Sequence, residues 1–107
     1  MSDFTKLRAA NIARQTEWQD GIPTSLEYRG NELGGECGEA LNEIKKLARE
    51  RLGIRGSRTT VEKCADELAD VIICVDLVAA ELGIDLAEAV RRKFNATSEK
   101  VGLETRL

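Results

Sequence analysis

A chain of 107 residues with 42% hydrophobic but only 4% aromatic side chains can build one domain around an aliphatic core. A net charge of −3 lacks the basic excess of a nucleic-acid binder, and the longest aliphatic run, 71–75, is far too short to span a bilayer. With no cationic, apolar leader at the start, these features predict a single cytoplasmic domain over residues 1–107, with neither nucleic acid nor membrane as a partner.

Three breaks, "DGIPT" (20–24), "GIRGSR" (53–58) and "GID" (83–85), leave four segments of helical periodicity and no two-residue alternation of the strand kind. Ser2 or Asp3 caps the first, which runs to about Asp20 and sets Asn11, Arg14 and Trp18 on one face, following Phe4 and Leu7. Thr24 followed by Glu27 has capping-box spacing and opens the second, which ends near Leu52 with Gly53 as its stop. On this helix Leu33, Cys37, Ala40, Ile44 and Leu47 form an apolar stripe, bordered by an acidic one of Glu32, Glu36, Glu39 and Glu43. Glycines at 30, 34, 35 and 38 interrupt the same stretch, each costing roughly 1 kcal/mol relative to alanine inside a helix.

Thr59 followed by Glu62 opens the third helix, which Gly83 stops. It is apolar almost all round between Val71 and Ala80, so it is expected to be the central, buried element. Cys64 and Cys74 are about 15 Å apart along it, too far for a disulfide. Without a CxxC pair or any histidine, the three cysteines read as buried reduced thiols rather than a zinc site. Asp85 followed by Glu88 starts the fourth helix, which ends near Val101 or Gly102. The fold expected is an all-α four-helix bundle.

Carboxylates carry the chemistry. Glu36 and Glu39 form an ExxE pair on the second helix, and Glu67 and Asp70 an ExxD pair on the third. A three-residue step places both members of each pair on one face, about one turn apart. Glu67 and Asp70 interrupt a stripe that continues through Cys74 and Val78, where uncompensated charge is costly. The loop 53–59 can reach about 23 Å, enough for antiparallel packing to gather all four carboxylates around one point. Such an oxygen cage suits Mg²⁺, with Mn²⁺ as a substitute. The competing reading is a solvated acidic face, in which Lys63, one turn before Glu67, supplies an ordinary ion pair.

"GECGEALNEIKK" followed by "ADELADVIICVDLVAAELGIDLAEAVRRKF" resembles the MazG-like family of all-α nucleoside triphosphate pyrophosphohydrolases, over residues from about 30 to 100. The resemblance implies a metal-dependent helical enzyme, a homodimer or homotetramer, that cleaves a (d)NTP to the (d)NMP and pyrophosphate in a nucleotide house-cleaning role. It makes Glu36, Glu39, Glu67 and Asp70 the Mg²⁺ ligands, with Glu36 and Glu39 the front-runners for accepting a proton from the attacking water. One departure stands out: many members carry a further glutamate where this chain has Gly35, which bears on metal number or on the group that orients the water. A narrower member, specific for dUTP or phosphoribosyl-ATP, and a catalytically silent helical interaction module are the alternatives.

Within that frame Gly30, Gly34 and Gly38 form a flat ridge that admits a neighbouring helix backbone, while Gly35 leaves room for a triphosphate; a bend or break at Gly34–Gly35 is the competing reading. Asn11, Arg14 and Trp18 become a base pocket with Trp18 stacking, or Trp18 is instead a core anchor at a helix end. Lys93, Asn95 and Lys100 resemble the family's basic and amide positions that hold phosphate oxygens, although a lysine near a helix C-terminus is also an ordinary dipole partner. The basic loop "RGSR" (55–58) reads as a solvated turn, with closure over phosphates as the alternative.

Overall fold

The computed structural model describes residues 2–107, and the regular secondary structure among them is entirely helical. The helices are α1 (Asp3–Gln19), α2 (Leu26–Arg51), α3 (Val61–Glu81) and α4 (Leu86–Val101). Each begins on a side-chain oxygen that accepts an otherwise unpaired backbone N–H. Ser2 takes that of Thr5, Ser25 that of Tyr28 and Asp85 that of Glu88, all at 3.1 Å, and Thr60 takes that of Lys63 at 3.2 Å. The caps of α2 and α3 therefore lie one residue beyond the Thr24 and Thr59 that the sequence favours. Both threonines are engaged elsewhere. Thr24 donates its hydroxyl to Glu81 at 3.3 Å, and Thr59 turns inward to donate to the Glu43 carboxylate.

α2 and α3 form an antiparallel hairpin and are the principal packed pair. Thr59, just before α3, meets Glu43, whereas Asp70, three turns further along, reaches back to Glu36. In the connecting loop the Arg49 side chain lies where a Cβ on Gly56 would sit, and Gly56 has φ +143°, so only glycine fits. α1 packs across α3, and α4 is attached through α1. As its composition predicts, α3 is central: it carries the buried Cys64, Cys74, Asp76, Leu77 and Ala79. All three cysteines are free thiols, with Cys64 and Cys74 buried and Cys37 half-buried. Burial, followed by the charges of Glu32 and Glu36, pushes the Cys74 thiol up to about 11, which leaves it unreactive at neutral pH.

A polar lock joins α1 to α3. Asp76 is fully buried, and the Arg8 Nε donates to its two oxygens at 3.1 and 3.2 Å. The buried Asn11 amide adds a third hydrogen bond at 3.0 Å and also donates to the Ile73 carbonyl. The other arm of Arg8 donates to the Ile84 carbonyl at 2.8 Å, so one guanidinium ties α1 to α3 and to the turn before α4. A buried carboxylate is tolerated because it is paired and fully hydrogen-bonded.

Candidate metal centre

The hairpin gathers the carboxylates. Glu36 from α2 and Glu67 and Asp70 from α3 each place an oxygen within 4.8 Å of the other two. Glu39, one turn along α2, is exposed and stands beside them, outside the three-oxygen group; its charge acts on both Glu36 and Glu67. One oxygen each of Glu36 and Glu67 is buried and has no hydrogen-bond partner. Burial holds the Glu36 carboxyl above its ordinary value, and the negative charges of Glu39, Asp70 and Glu67 push in the same direction. Burial also raises Glu67, and the charges of Glu39 and Asp70 push in the same direction.

The other acidic residues of the stripe are neutralised. Glu32 pairs with the buried Arg29 at 2.9 Å, and Arg29 also donates to Gln15. Glu43 pairs with Lys46 at 3.0 Å and accepts from Thr59; these contacts, Thr59 foremost, hold its carboxyl below its ordinary value. Lys63 forms no ion pair with Glu67. The stripe is thus divided into two paired acids and a cluster with no ion-pair partner among the described residues. Three carboxylate oxygens within 4.8 Å of one another form an oxygen-only donor set of the kind hard divalent cations take. Two desolvated oxygen acceptors without donors are what a hard divalent cation satisfies.

No family model, curated protein or solved structure matches this chain.

The remaining sequence-selected residues are distributed differently from expectation. Asn11 donates its amide to Asp76 and to the Ile73 carbonyl, and the residue lines a cavity shared with Gln15, Arg29 and Glu81. Trp18 is 75% exposed, which removes it from the core, and the Arg14 guanidinium lies 5.9 Å from its ring centroid. Asn95 grips the backbone of Leu107, accepting its N–H at 2.7 Å and donating to its carbonyl at 3.3 Å. Its amide therefore holds the C-terminal tail instead of standing free for phosphate. Lys93 and Lys100 are exposed on α4, which packs on α1 and not on the carboxylate hairpin. A Cβ built on Gly30, Gly34, Gly35 or Gly38 meets nothing within 4 Å, so no helix of this chain fills the ridge, and α2 runs through all four without a break. The sequence reading gave no role to Arg8 or Asp76 and took Thr59 only as a helix cap. Asp76 had a signal: it is the one charge inside the apolar run 71–80.

Proposed function

We propose that this protein is a Mg²⁺-dependent nucleoside triphosphate pyrophosphohydrolase of the MazG-like type, acting in the cytoplasm as a homo-oligomer. The observation that supports it best is the pair of buried, unpartnered oxygens of Glu36 and Glu67, with Asp70 within 4.8 Å and no cation among them. Glu36, Glu39, Glu67 and Asp70 would hold the ion, with Mn²⁺ as a substitute. When bound there, Mg²⁺ supplies neutralisation of phosphate charge and acidification of a water molecule. The chain's own residues do the rest. Glu39, exposed at the lip of the cluster, and Glu36 would be the candidates to accept a proton. Trp18, open to solvent with Arg14 over its ring, offers a stacking surface for a base.

The test is a panel of NTPs and dNTPs incubated with Mg²⁺, with products separated by chromatography. A nucleoside monophosphate and pyrophosphate are expected. Orthophosphate with a diphosphate left behind, or no turnover of any member, refutes the proposal.

A further inference from the structure

A second polar site lies beyond the carboxylates. A cavity of about 390 Å³, within the size range of small-molecule sites, opens between α1, the loop before α2 and the last turn of α3. Gln15 of α1, the buried Arg29 of α2 and Glu81 of α3 line it, and Leu77 and Ala80 supply an apolar wall.

Helix geometry ties this cavity to the candidate metal centre. Arg29 precedes Glu36 by seven residues on α2, and Leu77 follows Asp70 by seven on α3. Seven residues make close to two full turns, about 10.5 Å, so each step ends on the face where it began. Because the helices run antiparallel, both steps lead in one direction. The Arg29–Glu32 ion pair occupies the turn between the two sites. The base and the α-phosphate of one nucleotide are separated by a span of this order.

The hydrogen-bonding groups of the cavity have a fixed sense. Arg29 donates to the Gln15 oxygen at 3.0 Å, which leaves the Gln15 amino group, a donor, to meet a ligand. Glu81 accepts from the Thr24 hydroxyl at 3.3 Å and forms no ion pair among the described residues. Its carboxylate therefore keeps acceptor capacity and offers no donor. The cavity is donating on its α1 side and accepting on its α3 side.

We infer that this cavity selects a guanine base, with Glu81 as the residue that sets the choice. A carboxylate is matched by two adjacent donors, and guanine presents them in N1–H and its N2 amino group. Adenine and cytosine set an amino group beside a ring nitrogen that accepts, and uracil flanks one N–H with two carbonyls. Each of these turns a lone pair toward the carboxylate. On the other side the Gln15 amino group meets O6 or N7 of guanine, both acceptors. Trp18 lines an adjoining hollow that shares Gln19, Pro23 and Thr24 with the cavity, so it stands at the rim. The inference names the base of the substrate proposed above and rests on that reading for the phosphate end alone.

The experiment is isothermal titration calorimetry of the full chain with the guanosine, inosine, adenosine, cytidine and uridine monophosphates in the presence of Mg²⁺. Turnover of the matching triphosphates is followed in parallel. The guanosine nucleotide is expected to bind at least about tenfold tighter than those of adenosine, cytidine and uridine, within the discrimination of a bidentate base contact. The inosine nucleotide lacks the N2 amino group and is expected to bind at least about fivefold more weakly than the guanosine one. Glu81→Gln keeps an acceptor for Thr24 but sets a donor beside it. It is expected to bind the adenosine nucleotide at least as tightly as the guanosine one, with an unchanged circular dichroism melt. Glu62→Gln, the same change roughly 28 Å away at the start of α3, is expected to leave the order of affinities unchanged. Inosine and guanosine nucleotides of equal affinity, no binding of the guanosine nucleotide at millimolar concentration, or a guanosine preference kept by Glu81→Gln overturns the inference. Unselective binding by a chain that still forms monophosphate and pyrophosphate refutes this site and leaves the proposed activity standing. Selective guanosine nucleotide binding without turnover of any triphosphate refutes the activity and upholds the site.

Discussion

Glu67→Gln removes one charge from the carboxylate cluster while keeping the shape of the side chain, so it separates a metal site from a solvated acidic face. In the wild type, free Mg²⁺ at ten times its dissociation constant adds about 1.4 kcal/mol to the folded state by mass action. Unfolding entropy of about 2.1 cal/mol/K per residue gives about 0.22 kcal/mol/K for 107 residues. The expected rise in melting temperature is therefore about 6 °C, read by differential scanning fluorimetry or calorimetry. Glu67 has a buried oxygen without a donor and lies close to Glu36, Glu39 and Asp70, so its amide variant is expected to be at least as stable without metal. The same variant should show little of the Mg²⁺-induced rise and lose at least the roughly 10–100-fold in activity that even an outer-shell partner of a metal carries. Full activity in Glu67→Gln, or a wild-type melt that Mg²⁺ does not move, would refute the assignment.

Two further outcomes follow from the fold. The folded carboxyls of Glu36 and Glu67 lie above their ordinary 4.5, so their contribution is greatest below that value and is lost as pH rises through the raised values. Melting curves without metal should show this loss as pH rises above about 4.5, and saturating Mg²⁺ should reduce it; an identical profile with and without Mg²⁺ counts against the site. Arg8→Ala leaves the Asp76 carboxylate buried with only Asn11 beside it, at a cost near the lower end of the 3–5 kcal/mol expected for a broken buried pair. A melting temperature lower by roughly 12–20 °C is expected, and a change under about 4 °C would show that Asp76 is readily accommodated without Arg8.

The four helices and the carboxylate pairs were legible because each is encoded locally. Capping residues, glycine stops and a three-residue step between acids need no knowledge of the neighbouring helix. The one-residue displacement of two caps was not legible. It depends on Glu43 and Glu81, which draw Thr59 and Thr24 away from the helix ends through contacts 16 and 57 residues distant. The partners of Asn11 were hidden for the same reason. Its helical face was right, but only the fold shows that the face meets Asp76 on α3. The acidic stripe could be drawn from sequence, but which acids lack a cation could not, since Arg29 and Lys46 reach only Glu32 and Glu43. The glycine ridge was read as a close approach, which the lone chain does not make.

Thr59 has a consequence for the whole hairpin. Its hydroxyl donates to Glu43 and its backbone N–H donates to Glu50 at 3.3 Å, so two residues of α2 clasp the base of α3. That clasp sets how far α3 is advanced along α2. A slip of one residue displaces Glu67 and Asp70 by about 1.5 Å relative to Glu36, whereas Mg²⁺ holds its oxygens at 2.0–2.1 Å with little tolerance. The loop thereby acts as a gauge for the carboxylate cluster about 12 Å away, whose spacing is set by a threonine that never touches it.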